Sequence, residues 1–170
     1  MDLHALEEAT VGIERVKAYF GQWDMEDEIR EFEVSSATVE LAAIALGCEP
    51  ERIAKTLSFR VEDRAVLIVA AGDAKVDNAR FRAEFHTKAR MLAPEEVESS
   101  IGHTVGGVCP FGVNEGVEVY LDVSLKRFNS VFPACGSSNS AIERTINELE
   151  EYSHSIAWVD VCRNWRQISQ

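Results

Sequence analysis

An α+β domain is predicted, on three observations. The chain has 170 residues, the size of one domain with a full core. Its apolar periodicity is helical up to Gly47 and changes to alternation and short apolar runs beyond Pro50. From there strands and helices mingle without the regular βαβ rhythm that a doubly wound sheet requires.

The elements follow in order. In Thr10–Trp23, the residues Val11, Ile13, Val16, Tyr19 and Phe20 fall on one face, so a first helix is expected. The acidic run Asp24–Glu33 reads as a solvated connector or the approach to a short strand. Ser35 and Ser36 are good N-caps for a second helix, TVELAAIAL, with Glu40 close to capping-box distance. Gly47 suits the left-handed cap that ends it. Pro50 opens a short helical turn, PERIAK. Leu57–Val61 and Ala65–Ala71 then flank a turn, Glu62–Arg64, as a β-hairpin. Asp77 begins a short basic helix, DNARFRAEF, and Pro94 another, APEEVESSI. Strands are expected at Val117–Asp122, Asn129–Ala134 and Ile156–Val161, with a helix over Ser140–Leu149 between the last two.

Apolar residues make up 46% and charged residues 27%, the mix of a folded globular protein rather than a disordered one. No apolar run approaches the ~18–20 residues that span a bilayer. The acidic, amphipathic N-terminal segment is neither a secretory signal nor a transit peptide, and a cytoplasmic protein without a membrane partner is expected. The net charge of −12 argues against a protein that coats nucleic acid through its general field. The charge is uneven, however. Residues 1–51 hold 3 basic and 13 acidic residues, residues 52–92 hold 9 and 5, and residues 93–170 hold 5 and 11. Only the middle third can present a positive patch.

Cys48, Cys109, Cys135 and Cys162 are scattered with no C-x-x-C pair, as expected of ordinary thiols in a reduced compartment. His4, His86, His103 and His154 show no ligand spacing, so neither a metal nor another cofactor is expected. Cys109 is rejected as a nucleophile, because no histidine or cation neighbours it in sequence to lower its pKa.

Three segments stand apart. Lys55, within IAKTL, sits where a short helix is expected to meet an apolar strand. There it either holds a phosphate or polarises a carbonyl as a point charge, or snorkels at the surface. Gly106-Gly107-Val108-Cys109-Pro110-Phe111-Gly112 packs three glycines and a proline into seven residues. Such a loop either turns successive N–H groups towards an oxyanion or water, or is a tight connection. Pro133–Ser140 is a small-residue loop read as feeding a helix N-terminus, either an anion or small-ligand site or a plain cap.

In combination these segments resemble the YbaK and prolyl-tRNA synthetase editing-domain family. The match consists of a Leu-Gly eight residues before Ala-Lys-Thr-Leu, a central Gly-x-x-x-Pro followed by Phe-Gly, and a late glycine turn leading into Ile142-Glu143. It covers approximately residues 34–160. Residues 1–33 are then an N-terminal helical extension and 34–170 the editing domain. The resemblance implies a mixed, partly closed β-sheet surrounded by helices. It also implies a deacylase that removes a wrong amino acid from tRNA in trans, while the acidity outside the middle third points to dependence on an accessory partner, a synthetase or elongation factor, or on a correct docking surface.

Carried over, Lys55 resembles the family lysine that grips the tRNA 3′ end or the substrate backbone, and Thr56 its hydroxyl neighbour. Gly106 to Pro110, taking in Gly107, resembles the loop that positions ester and water, followed by Phe111 and Gly112. Gly136, with Ser137 beside it, resembles the late turn that closes the amino-acid pocket. Thr38 stands where cysteinyl-specific members carry an aromatic residue, Ala141 where they carry an acid, and Ala134-Cys135 where a small hydroxyl is usual. Lys55, Gly106 and Pro110 are thus the expected catalytic set. Thr38, Thr56, Gly107, Phe111, Gly112, Gly136 and Ser137 are the expected substrate contacts.

An aminoacyl ester is already activated, so positioned water and oxyanion donors suffice without a protein nucleophile. The expected substrate is a small amino acid on the tRNA for proline. Lys55, Arg60, Lys75, Arg80, Arg82, Lys88 and Arg90 supply the basic edge. The alternative is a non-catalytic member of the fold that binds a small metabolite or a partner protein. A cysteine redox protein lacks any paired spacing.

Overall fold

The structure is a computed structural model and describes residues 12–166. Its centre is a six-stranded mixed sheet curled into a half-barrel. Strand β2 (Ile53–Val61) and β3 (Arg64–Ala71) form the antiparallel hairpin, in register from Ala54↔Ala71 to Val61↔Arg64. β5 (Glu118–Asp122) adds parallel to β3, and β9 (Ala157–Val159) parallel to β5. On the other side β6 (Ser130–Pro133) runs parallel to β2, and β8 (Arg144–Thr145) lies antiparallel to β6. Two short antiparallel ladders flank this sheet. One joins β1 (Arg30–Glu31) to β7 (Ser140–Ala141), the other β4 (Lys75–Val76) to β10 (Cys162–Arg163).

β3 explains the centre of the sheet. Val66–Ala71 is one unbroken apolar run, fully buried, as a strand covered on both faces requires. Phe81, on the helix α3 (Asn78–Phe85), sets its ring 5.0 Å from that of Phe59. The helix α1 (Ile13–Gly21) sends Val16 and Phe20 into the same core, Phe20 lying 4.8 Å from Phe111. Residues 13–21 therefore share one core with the rest, and packing runs across the expected boundary at residues 33 and 34. Thr10 and Val11 of the expected first helix lie outside the described residues.

The α+β class and the partly closed mixed sheet agree with expectation, and most elements lie near their expected places. Three differ. The helix α2 (Val39–Leu46) is capped by Thr38, whose Oγ1 accepts from the Leu41 N–H, rather than by Ser35 or Ser36. Those serines turn to the Ser138 carbonyl instead. The turn after Pro50 is a single 3-10 turn, Pro50–Arg52, and Ile53 already belongs to β2. The helix expected over Ser140–Leu149 starts later, as α5 (Ile146–Tyr152) after α4 (Pro94–Ile101). Thr145 and Glu148 form its full capping box, a stronger start signal than Ser140. Ser140–Ala141 is drawn into pairing with Arg30–Glu31 instead.

Candidate functional site

Lys55 is the third residue of β2, not the junction of a helix and a strand. On the outer edge of β2, β6 pairs with Ile53 and Ala54. Further along, the Leu92 N–H donates to the Ser58 carbonyl and the Arg60 N–H to the Arg90 carbonyl. Between these two covers, Lys55–Leu57 opens on a cavity of about 390 Å³. Backbone groups alternate along a strand, so Thr56, in phase with Ser58 and Arg60, presents its N–H and C=O to that gap. Its side-chain Oγ1 is buried and has no hydrogen-bond partner among the described residues. Thr38 enters the wall from the start of α2 and Gly106 from the glycine loop. Ala37, Ala42, Ala54, Ala134 and Ala141 share the lining with larger apolar residues, among them Ile53, Leu57, Met91, Leu92 and Phe132.

The glycines set the far wall by close backbone approach. A Cβ on Gly107 would lie 2.5 Å from the Gly136 carbonyl carbon and the Ser137 nitrogen. One on Gly136, at φ +90°, would lie 2.6 Å from Gly12. The Gly-x-x-x-Pro loop, the late loop and the start of α1 thus stack backbone on backbone, which side chains would prevent.

Four expected site residues meet at the cavity: Lys55, Thr56, Thr38 and Gly106. The others do not line it. Gly107 and Gly136 lie behind its wall, in the stack just described. Phe111 is fully buried in the core against Phe20. Pro110 and Gly112 line a separate cleft with Tyr19, Asn114 and His154. Ser137 turns its hydroxyl to Asn139 and to Ser140, at 2.9 and 2.6 Å. Of the late loop expected to close the pocket, Ala134 reaches the cavity, and Ala141 follows from β7.

Lys55 is half-buried, and its ammonium donates to the carbonyls of Gly72, at 3.4 Å, and Ala74. Loss of hydration pushes its pKa down. An ammonium has three N–H donors, so one is left for a ligand.

Sequence spacing missed a buried pair. His103 and Cys109 meet in the fold, with Nε2 3.5 Å from Sγ. Their separation by six residues within one glycine-bounded loop was the available signal. Nε2 lies 2.8 Å from the Phe111 carbonyl oxygen, which accepts only, so Nε2 carries the proton and cannot take one from the thiol. Burial holds the imidazole near pKa 4 and pushes the Cys109 thiol up to about 12. The pair is neutral at pH 7 and closed to solvent, which makes it packing rather than a nucleophile and base. All four cysteines are free thiols. Among the described residues no three His, Cys, Asp or Glu side chains gather as a metal site.

Residues 33–152 match the family model for the aminoacyl-tRNA editing domain. The chain belongs to that family. It is 58% identical over 156 residues to the uncharacterized Bacillus subtilis protein YwhH, covering 91% of this chain and 99% of that one. A proline–tRNA ligase of Geobacillus sp. (strain WCH70) is 33% identical over 102 residues, 59% of this editing domain's chain but 18% of the ligase. The chain thus spans less than a fifth of that enzyme. A crystal structure of a candidate trans-editing enzyme for prolyl-tRNA synthetase superposes with a TM-score of 0.80 at 28% identity, covering 89% of this chain and 96% of the other. Among the described residues, no helix of the editing domain is long and apolar enough to cross a membrane.

Proposed function

We propose that this editing domain acts in trans as an aminoacyl-tRNA deacylase that removes a small amino acid from the tRNA for proline. The observation that carries this reading is the meeting of Lys55, Thr56, Thr38 and Gly106 on one cavity of about 390 Å³, within the size range of small-ligand sites. The similarity to proline–tRNA ligases supports the choice of tRNA. Bulky apolar side chains in the lining, Ile53, Leu57, Met91, Leu92 and Phe132, crowd the space and support a small substrate side chain.

In this reading water attacks the ester carbonyl, and the carbon–oxygen bond to the terminal ribose breaks. The amino acid leaves as its carboxylic acid, and a proton passes to the ribose oxygen. Lys55 holds the substrate through its remaining N–H, as a compact point charge. The Thr56 backbone at the open edge of β2 and the Gly106 backbone position the ester and stabilise the developing oxyanion, where one donor is worth ~2.7–4 kcal/mol. Thr38 and the Thr56 side chain border the aminoacyl group. Gly107 and Gly136 hold the wall, while Pro110, Phe111, Gly112 and Ser137 brace it from outside the cavity. The tRNA 3′ end is the partner, with a synthetase or elongation factor delivering it.

The test is kcat/KM across alanyl-, seryl-, threonyl-, cysteinyl- and prolyl-tRNA for proline. A preference for one or more small residues, with the prolyl ester spared, is expected. Equal cleavage of the prolyl ester, or no cleavage of any, overturns the reading.

A further inference from the structure

Lys75 and Arg163 stand directly opposite each other in the antiparallel ladder of β4 and β10. Directly opposed residues in such a ladder carry their side chains on one face, about 4.5–5.5 Å apart at Cβ, and like charges there repel. Both side chains are exposed. Neither makes an ion pair among the described residues, and among the acids nearby in sequence Asp77 caps the helix α3 through the Arg80 N–H. Asp73 binds Arg127 at 2.5 Å, and Asp160 takes Arg166 at 2.6 Å and Arg80 at 3.4 Å. In a chain with 29 acidic residues against 17 basic ones, an exposed cation pair without a counter-charge marks a place for an external anion.

The pair does not line the cavity but connects to it through Lys55. Lys75 follows Ala74, whose carbonyl accepts from the Lys55 ammonium. Lys75 is also close enough for its charge to help lower the Lys55 pKa. Arg163 lies beyond residues 33–152, the part matched to the editing family. An arginine fork beside a lysine point charge suits a phosphodiester, which offers two unesterified oxygens.

We propose that Lys75 and Arg163 clamp a phosphate of an RNA strand whose 3′ end enters the cavity at Lys55. The choice of RNA rests on the deacylase reading above, whereas the clamp rests on the ladder. The test measures binding of an uncharged hairpin RNA with a single-stranded ACCA 3′ tail, by fluorescence anisotropy between 50 and 200 mM salt. A doubly substituted protein, Lys75→Ser with Arg163→Ser, is expected to bind roughly tenfold more weakly. Its log–log salt slope is expected to be flatter by about 0.7, one phosphate neutralised on a single strand. Lys75→Glu supplies a structural control: Arg163 gains a cross-strand partner, so Tm holds or rises while RNA binding weakens. With mischarged tRNA the loss is expected in KM rather than kcat.

Unchanged affinity and salt slope in the folded double variant overturn the clamp. So does a glutamate-rich peptide that binds through these two residues when the RNA does not. A wild-type protein that binds the RNA through Lys75 and Arg163 yet hydrolyses no ester overturns the deacylase reading and supports the clamp.

Discussion

Lys55 occupies a strand position where it borders the cavity, and its ammonium rests on the carbonyls of Gly72 and Ala74. Removing it takes away a donor at the proposed ester site. Lys55→Ala is expected to lower kcat/KM on a mischarged tRNA by about 10–10²-fold, the scale of one lost hydrogen bond from a charged group. Lys55→Arg is expected to fail as well, since a planar fork does not reproduce a point charge in a fitted space. Wild-type turnover in purified, folded Lys55→Ala would remove the residue from the chemistry. Thiol reactivity is a second test at this scale. Cys48 is the half-buried cysteine, while Cys109, Cys135 and Cys162 are fully buried. A disulfide reagent should therefore titrate Cys48 first and reach the other three only on unfolding; fast labelling of Cys109 would contradict its closed setting.

At the scale of elements, the cavity wall depends on loops touching through glycine. Gly107→Ala drives a Cβ to 2.5 Å from the peptide joining Gly136 to Ser137. Backbone, unlike a flexible side chain, does not move aside cheaply. The expected cost is about 1–3 kcal/mol, read in urea denaturation, together with lost turnover as the wall shifts. A stable and fully active Gly107→Ala would show that the two loops move independently. Helix α1 offers a complementary test. Phe20 is fully buried against Phe111, so Phe20→Ala is expected to cost ~3–5 kcal/mol of global stability. Were the helix a detachable extension, the change would leave the main unfolding transition where it was.

Over the whole molecule, stability should depend on pH through His103. Its folded pKa of about 4 lies below the ordinary 6.5 because burial disfavours the imidazolium. Between those values the unfolded chain binds a proton that the native protein does not. The contribution is therefore fully present above pH 6.5 and is lost as pH falls from 6.5 through 4, reaching about 3 kcal/mol at pH 4. Denaturation midpoints taken from pH 7 down to pH 4 should show this acid-side fall, and His103→Gln should flatten it. An identical pH slope in the variant would assign the acid sensitivity to other groups.

Periodicity and turn chemistry were enough to read the α+β class, the hairpin of β2 and β3, the helices opened by Asp77 and Pro94, and the glycine cap of α2. These are local properties, fixed by whether apolar side chains recur every two or every 3.6 residues and by which residues tolerate a turn. The motif around Lys55 and the Gly-x-x-x-Pro loop was legible through its resemblance to the editing-domain family. Other features depended on contacts between distant segments. Ser140–Ala141 became a strand because Arg30–Glu31 lay beside it. His103 met Cys109 because their loop folded inward, and burial then set both pKa values. Phe111 went to the core while Gly106, five residues earlier, went to the cavity. Sequence alone determined the elements coded by local periodicity and caps, and the residue types available for chemistry. Tertiary structure decided which of them share one space, because burial and close approach belong to pairs of segments rather than to either one.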